Sequence, residues 1–257
     1  MQNPSRNTVA SISDVTITLA KTLIVMPALN EEASIAEVIR EVYVAMPGVK
    51  CLVVDDGSTD RTARIAAEAG ARVISLPFNL GVGGAMRLGF KYALNHGFEI
   101  VVQIDSDGQH DPANVVTLVE ALENADLVLG ARFAGEGECR VRGPRRWAMR
   151  ILALILSVIT RTTLTDTTSG FRATGPKAIR LFAEHYPAEY LGDTIEALVI
   201  AARTGCIVRQ VPVAMRPRAG GTPSSNPFKA AAYLGRACIA LIFALIRPVS
   251  SFRIRAT

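Results

Sequence analysis

The 257-residue chain has only four cysteines, Cys51, Cys139, Cys206 and Cys238, widely separated and without a Cys-x-x-Cys pair. That spacing excludes a zinc finger and a disulfide framework and predicts reduced thiols. No run reaches the roughly 20 apolar residues that a bilayer-spanning helix needs. Residues 151–160 and 237–246 come nearest, ten uncharged residues each, bounded by Arg150 and Arg161 and by Arg236 and Arg247. Each is expected to be a core helix or a helix lying in a lipid interface. Met1 to Ala20 carries polar breaks and an aspartate where a signal peptide needs its apolar core, so a cytoplasmic location is expected. A Walker loop is excluded because no Gly-Lys-Ser/Thr occurs. In Gly81-Val82-Gly83-Gly84-Ala85-Met86 the third glycine of a dinucleotide fingerprint is replaced by methionine. Aromatics are 6% of residues, with no aromatic-interleaved basic strand and no helix-turn-helix pattern, so nucleic acid is not an expected partner.

What is present is a globular composition on the apolar side, 49% hydrophobic and 20% charged, with mean hydropathy +0.28. The net charge is +5, and the arginines gather late, at Arg140, Arg142, Arg145, Arg146, Arg150, Arg203, Arg209, Arg216 and Arg218. An anionic partner follows, either phosphate on a small ligand or an acidic membrane surface. Short apolar runs at 23–26, 51–54, 73–76, 100–104 and 127–129 alternate with helical patterns at 33–46, 59–69, 83–95 and 112–123. Repeated βαβ units predict an α/β fold with a mostly parallel central sheet covered by helices on both faces. Ser58-Thr59-Asp60 is placed to cap a helix, Gly70 to end it and Pro112 to open the next. Beyond Phe133 the alternation fades into a glycine- and arginine-rich loop at 135–146, helices at 147–159, 175–183 and 193–204, a strand at 206–215 and a Pro/Gly/Ser-rich segment at 217–227.

Each polar cluster of the first half directly follows a strand. Pro27 to Glu32 follow the first, Asp55 to Asp60 the second, Phe78 to Gly81 the third, Asp105 to Asp111 the fourth, and Ala131-Arg132 the fifth. In a parallel sheet these positions share one edge, where α/β folds bind ligands. Asp105 and Asp107, one residue apart at a strand end, suit a hard divalent cation whose shell a diphosphate completes. Of Asp55 and Asp56, one carboxylate is expected to cap and the other to accept from a base or ribose.

Pro27 to Glu32, Val53 to Asp60, Asn79-Leu80-Gly81 with Ala85 and Gly89, and Asp105 to His110 resemble the motif series of glycosyltransferase family 2. Asp166-Thr167-Thr168-Ser169-Gly170-Phe171-Arg172 resembles a segment of its dolichyl-phosphate mannosyltransferase branch, which includes polyprenyl-phosphate sugar transferases. The resemblance implies a GT-A fold, a nucleotide-diphosphate sugar donor, Mg²⁺ or Mn²⁺, and inversion at the anomeric carbon. It places Pro27, Leu29, Glu31 and Asp56 around the nucleoside, and Asp105, Asp107 and Gln109 around the metal. Asn30, Asp55, Asn79, Gly81 and Ser106 complete the expected donor site, Ser106 standing where many relatives carry alanine. The implied organisation is a flexible tail at 1–20, a nucleotide-sugar-binding half at 21–132, an acceptor-binding half at 133–226 and an amphipathic C-terminal helix at 227–257.

Two acceptors are expected. A polyprenyl phosphate is already ionised and needs cations, for which Arg132, Arg172, Arg145, Arg146, Arg216 and Arg218 are candidates. It would place the protein peripherally at the cytoplasmic face of a membrane. A sugar hydroxyl needs a carboxylate base, for which Asp193 and Glu196 share one helix face. Asp166 is expected to orient the acceptor or an arginine, His110 to lie beside the site or at the surface, and His96 and His185 at the surface. A sugar-nucleotide pyrophosphorylase or a non-catalytic scaffold are the alternatives from other classes. The first needs a glycine-rich loop where this chain has Pro-x-x-Asn-Glu. Processive polysaccharide synthesis is disfavoured because Arg145-Arg146-Trp147 lacks the glutamine of Gln-x-x-Arg-Trp.

Overall fold

A computed structural model describes residues 19–132, 144–187 and 193–216, and residue 246. For residue 132 and for 144–149 it describes the backbone only. The expected tail, the loop at 133–143, most of the C-terminal helix, Cys139, Cys238, Arg140, Arg142 and Arg218 lie outside the described residues.

The apolar runs form strands β1 (Thr22–Ala28), β2 (Lys50–Asp55), β3 (Arg72–Ser75), β4 (Ile100–Gln103) and β5 (Leu127–Arg132). Between them lie α1 (Ile35–Ala45), α2 (Thr62–Glu68), α3 (Gly81–Asn95) and α4 (Val115–Glu120). Then follow α5 (Pro144–Thr160), β6 (Arg172–Thr174), α6 (Pro176–His185), α7 (Asp193–Arg203) and β7 (Val208–Val213). The expected helix at 112–123 is tightened at both ends, with 3₁₀ turns at Pro112–Asn114 and Ala121–Asn124 flanking α4. Asp111 caps the first turn by accepting from the Ala113 N–H, and Pro112 supplies a preset φ. Asp60 opens α2 by accepting from the Thr62 N–H at 2.9 Å, and Gly70 closes it at φ +95°.

The seven strands run in the order β3-β2-β1-β4-β6-β5-β7. All pairings among them are parallel except those of β6, which runs antiparallel to both β4 and β5. The sheet is mostly parallel, as expected, but β5 does not lie beside β4. Three residues of β6 separate them, too short a run to stand out as a strand in the sequence.

Side chains alternate across the sheet. Leu23 and Val25 of β1 join Met86 and Phe90 of α3, Leu152 and Leu156 of α5, Phe182 of α6 and Leu198 of α7. Ile24 and Met26 face Ile35, Val38, Ile39 and Val42 of α1, Ala66 of α2 and Leu118 of α4. The 35, 38, 39, 42 spacing is one buried helix face. Gly89 lets α3 approach β1, since a Cβ there would lie 2.5 Å from Val25 Cγ1. Strand order reverses at the β1/β4 boundary, so a crevice opens beyond their carboxyl ends.

Candidate active site

Two loops on the donor side are bound to each other by side chains. Asn30 sits at φ +55°, accepts at Oδ1 from the Thr59 N–H (2.9 Å), and its own N–H donates to Ser58 Oγ (2.9 Å). The Glu31 N–H donates to Thr62 Oγ1, and the Glu31 carboxylate accepts from Ser34 Oγ at 3.0 Å. The Glu32 N–H donates to Asp60. Burial works against the Asp60 charge, but the bonds from Thr62 and Glu32 outweigh it and hold its carboxyl below the ordinary range. Pro27, expected just after β1, is instead a buried residue within it, paired with Val54, and Leu29, 40% exposed, opens the turn that follows.

Asp55 and Asp56 divide their work. Both are buried. Asp55 accepts from the Ser58 N–H (3.1 Å) and shapes the turn. Asp56 reaches across, its two oxygens accepting from the N–H groups of Leu80 (2.7 Å) and Gly81 (2.8 Å). It thereby ties the first turn of α3 to the end of β2, and each oxygen retains a second lone pair for a ligand. Asn79 Oδ1 also accepts from the Gly81 N–H, so Asn79 caps the helix entry. Gly57, at φ +78°, has the backbone of Phe78 3.0 Å from where a Cβ would stand. Only glycine fits between these two loops.

The Asp105 loop lies at the switch point. Ser106 is buried and donates to the Pro27 carbonyl (3.2 Å), joining the exits of β4 and β1. Asp107 is 7% exposed and accepts from the Gln109 N–H (3.0 Å). The Asp105 side chain is 37% exposed and so open to the crevice. Its Oδ1 accepts from Gln103 Nε2 (3.3 Å). Among the described residues, no three His, Cys, Asp or Glu side chains gather tightly enough to hold an ion alone. Two carboxylates completed by substrate phosphates is the usual arrangement for Mg²⁺, and oxygen donors of this kind fit Mg²⁺ or Mn²⁺. Gln109 contributes its backbone here, accepting from the Arg216 N–H at 2.9 Å.

From the second half of the chain, the Ser169-Gly170-Phe171 segment meets this loop. A Cβ on Gly170 would lie 2.9 Å from both carboxylate oxygens of Asp105. The Phe171 ring stacks on His110, with centroids 4.8 Å apart. Asp166 folds its own turn, accepting from the Thr168 N–H and hydroxyl. Arg172 is 3% exposed, and its guanidinium donates to the carbonyls of Ser169 (2.9 Å), Thr194 (3.1 Å) and Thr167 (3.3 Å). Asp193, at the start of α7, is buried enough to push its carboxyl above the ordinary range, Arg172 opposing that shift and Asp105 adding to it. Its Oδ2 is buried without a hydrogen-bond partner. Glu196 lies one turn further along α7 and is partly buried.

Of the expected phosphate-binding arginines, Arg216 is instead ion-paired to Glu41 (2.6 Å) and Asp111 (3.0 Å). Arg172 is engaged with three carbonyls. Arg132 ends β5, its backbone paired with Val213. The side chains of Arg132, Arg145 and Arg146 lie outside the described residues. His96 is exposed as expected, and His110, 3% exposed, takes the first of its two expected places, beside the site; His185, expected at the surface, is half-buried. Sequence reading missed the approach of Gly170 to Asp105, and it left open whether His110 lies beside the site, as it does, or at the surface. Both stood within recognised motifs, but their meeting at Asp105 joins segments 60 residues apart.

Residues 23–182 match the family model described as Glycosyl transferase family 2. An undecaprenyl-phosphate mannosyltransferase of Micrococcus luteus is 30% identical over 201 residues, 75% of this chain and 82% of that protein. A polyprenol monophosphomannose synthase of Mycolicibacterium smegmatis is 32% identical over 166 residues, 60% of this chain and 61% of that protein. Among solved structures, glucosyl-3-phosphoglycerate synthase from Mycobacterium tuberculosis in complex with Mg²⁺ and uridine diphosphate superposes with a TM-score of 0.68 at 25% identity. The match covers 91% of this chain and 84% of that one. The fold is GT-A, and the pyrophosphorylase and scaffold alternatives are set aside. With its motifs, sheet order and matched span in agreement, the chain belongs to glycosyltransferase family 2.

Proposed function

We propose that the protein is an inverting transferase that moves a hexose from a nucleotide-diphosphate sugar to a polyprenyl phosphate. One observation carries this reading: the Asp105-Ser106-Asp107 loop is joined to the end of β1 at Pro27, at the sheet's switch point, with Gly170 against the Asp105 carboxylate. Mg²⁺ or Mn²⁺, held by Asp105 and Asp107 with Gln109 beside them, would supply Lewis-acid neutralisation of the departing diphosphate. Asp56, Asn79 and Gly81 present the first turn of α3 to the donor, with Pro27, Leu29, Asn30 and Glu31 forming the facing wall. In the reaction the bond from the anomeric carbon to the diphosphate oxygen breaks. A bond to an acceptor phosphate oxygen forms on the opposite face. That oxygen is already ionised, so the protein's task is to hold it with cations. Arg132, Arg145 and Arg146 take that task in this reading, while Arg172 and Asp166 shape the segment beside Asp105.

Relatives named for undecaprenyl-phosphate and polyprenol substrates support the lipid acceptor. So does α5. Its inner face is buried at Leu152 and Leu156, whereas Ile151, Leu154, Ile155 and Val158 are 56%, 66%, 38% and 72% exposed. That is one stripe at i, i+3, i+4, i+7, with exposed Arg150 and Arg161 at its ends. An apolar face flanked by cations suits an anionic lipid surface. No helix among the described residues is long and apolar enough to cross a membrane.

The second reading, a sugar hydroxyl acceptor, is favoured by Asp193, whose buried, unpartnered Oδ2 and raised pKa suit a general base. A radiolabel transfer screen of GDP-mannose and UDP-glucose against polyprenyl phosphate and free sugars, with and without Mg²⁺ or Mn²⁺, separates the two. Metal-dependent transfer to polyprenyl phosphate, abolished in the D105N/D107N variant, is the expected result. Transfer to hydroxyl acceptors alone, lost in D193N, would overturn it.

A further inference from the structure

His110 is a buried imidazole that the proposed chemistry leaves unused. Its Nδ1 accepts the Asp105 N–H at 3.0 Å, so that nitrogen carries no proton and the neutral ring holds its hydrogen on Nε2. Nε2 stands 3.6 Å from Asp105 Oδ2. The ring is fixed from both directions. Phe171 stacks on its face at an interplanar angle of 13°, and the His110 backbone pairs with Met215 beyond β7. The Asp105 carboxylate is thus enclosed on three sides. Gln103 donates to Oδ1, His110 Nε2–H faces Oδ2, and the Gly170 backbone leaves no room for a side chain against either oxygen. The side left open is toward the crevice.

We propose that His110 is a positioning residue for the metal site. It fixes the Asp105 backbone through the bond to Nδ1, and its Nε2, 3.6 Å from Oδ2, stands along one side of the carboxylate and so limits the rotamers open to the group that receives the cation. The proposal rests on the metal role given to Asp105 above. An imidazole and an amide that orient a ligating carboxylate raise its metal affinity by removing the entropy of searching rotamers, and loss of such a partner typically costs about 10–100-fold in affinity.

The test uses the full chain and Mn²⁺ itself, titrated with UDP or GDP present and read by electron paramagnetic resonance of free Mn²⁺. H110F retains the stack on Phe171 but neither hydrogen-bonding nitrogen, and H110N returns an acceptor near the Nδ1 position. The expected result is a roughly tenfold or greater loss of Mn²⁺ affinity in H110F with an unchanged circular dichroism spectrum, and partial recovery in H110N. Nitrogen-15 correlation spectra of the wild type should show the Nε2–H tautomer without metal. Wild-type Mn²⁺ affinity in H110F, or an Nδ1–H tautomer, overturns the inference alone. A wild type that binds no Mn²⁺ with either nucleotide overturns the proposed metal role and this inference with it. If H110F does not fold, the tautomer and the H110N titration decide.

Discussion

Arg172 and Arg216 carry the same guanidinium into opposite surroundings, and their energetics diverge accordingly. Arg172 is buried and satisfies three main-chain carbonyls from two separate segments. Removing it leaves those carbonyls and a hole in the interior, so R172A should cost about 3–5 kcal/mol in urea unfolding. R172K should recover only part of this, because an ammonium cannot reproduce the planar fork. Arg216 has a side chain 42% exposed, and its pairs with Glu41 and Asp111 are screened by solvent. R216A should cost less than about 1 kcal/mol. Neither distinction was legible in the sequence, where Arg172 closed the Asp166–Phe171 motif and Arg216 followed the last strand, both as candidate phosphate ligands. A charge pattern reports that a cation is present, while its hydrogen-bond partners depend on which carbonyls and carboxylates the fold brings near.

Among the elements, α5 shows how far a pattern reaches. An uncharged stretch bounded by arginines predicted a helix that was either core or interfacial, and the structure gives it one buried face and one exposed apolar face. One face packs on the core and on α7, and the other stays open. L154E/V158E changes exposed positions only, so its unfolding free energy should stay within about 0.5 kcal/mol of wild type. Its co-sedimentation with anionic phospholipid vesicles should fall several-fold, and the binding that remains, left to the cations, should be more sensitive to salt. Unaltered vesicle binding would remove α5 as the lipid-facing helix. The α/β alternation from β1 to β5 was legible because each strand and helix carries its own hydrophobic period. β6 was not. Its pairing with β4 and β5 rests on contacts 43 to 73 residues apart in sequence, and three residues contain no period to read.

At the scale of the whole molecule, the two halves of the chain meet at charged groups, and the balance there sets a pH dependence. Burial raises the Asp193 carboxyl, with Arg172 opposing and Asp105 reinforcing. A carboxyl whose folded pKa is raised binds its proton more tightly when folded. Its contribution to stability is fully present below the ordinary value near 4 and is lost as pH rises through the folded value. D193N removes that loss. Its melting temperature should exceed that of wild type at pH 7, with the advantage vanishing below about pH 4 in a calorimetric series. An advantage that persisted at low pH would place the cause elsewhere than in the carboxyl's charge. What the sequence by itself determined was the α/β class, the five polar clusters on one sheet edge and the paired aspartates, because hydrophobic period and strand-end position are local properties. Only the tertiary structure decided that β6 enters between β4 and β5, that Arg172 and Arg216 serve the protein's own oxygens, and that His110 and Gly170 enclose Asp105. Those arrangements join distant segments, and the orientation of a buried polar group is set by the partners that folding supplies.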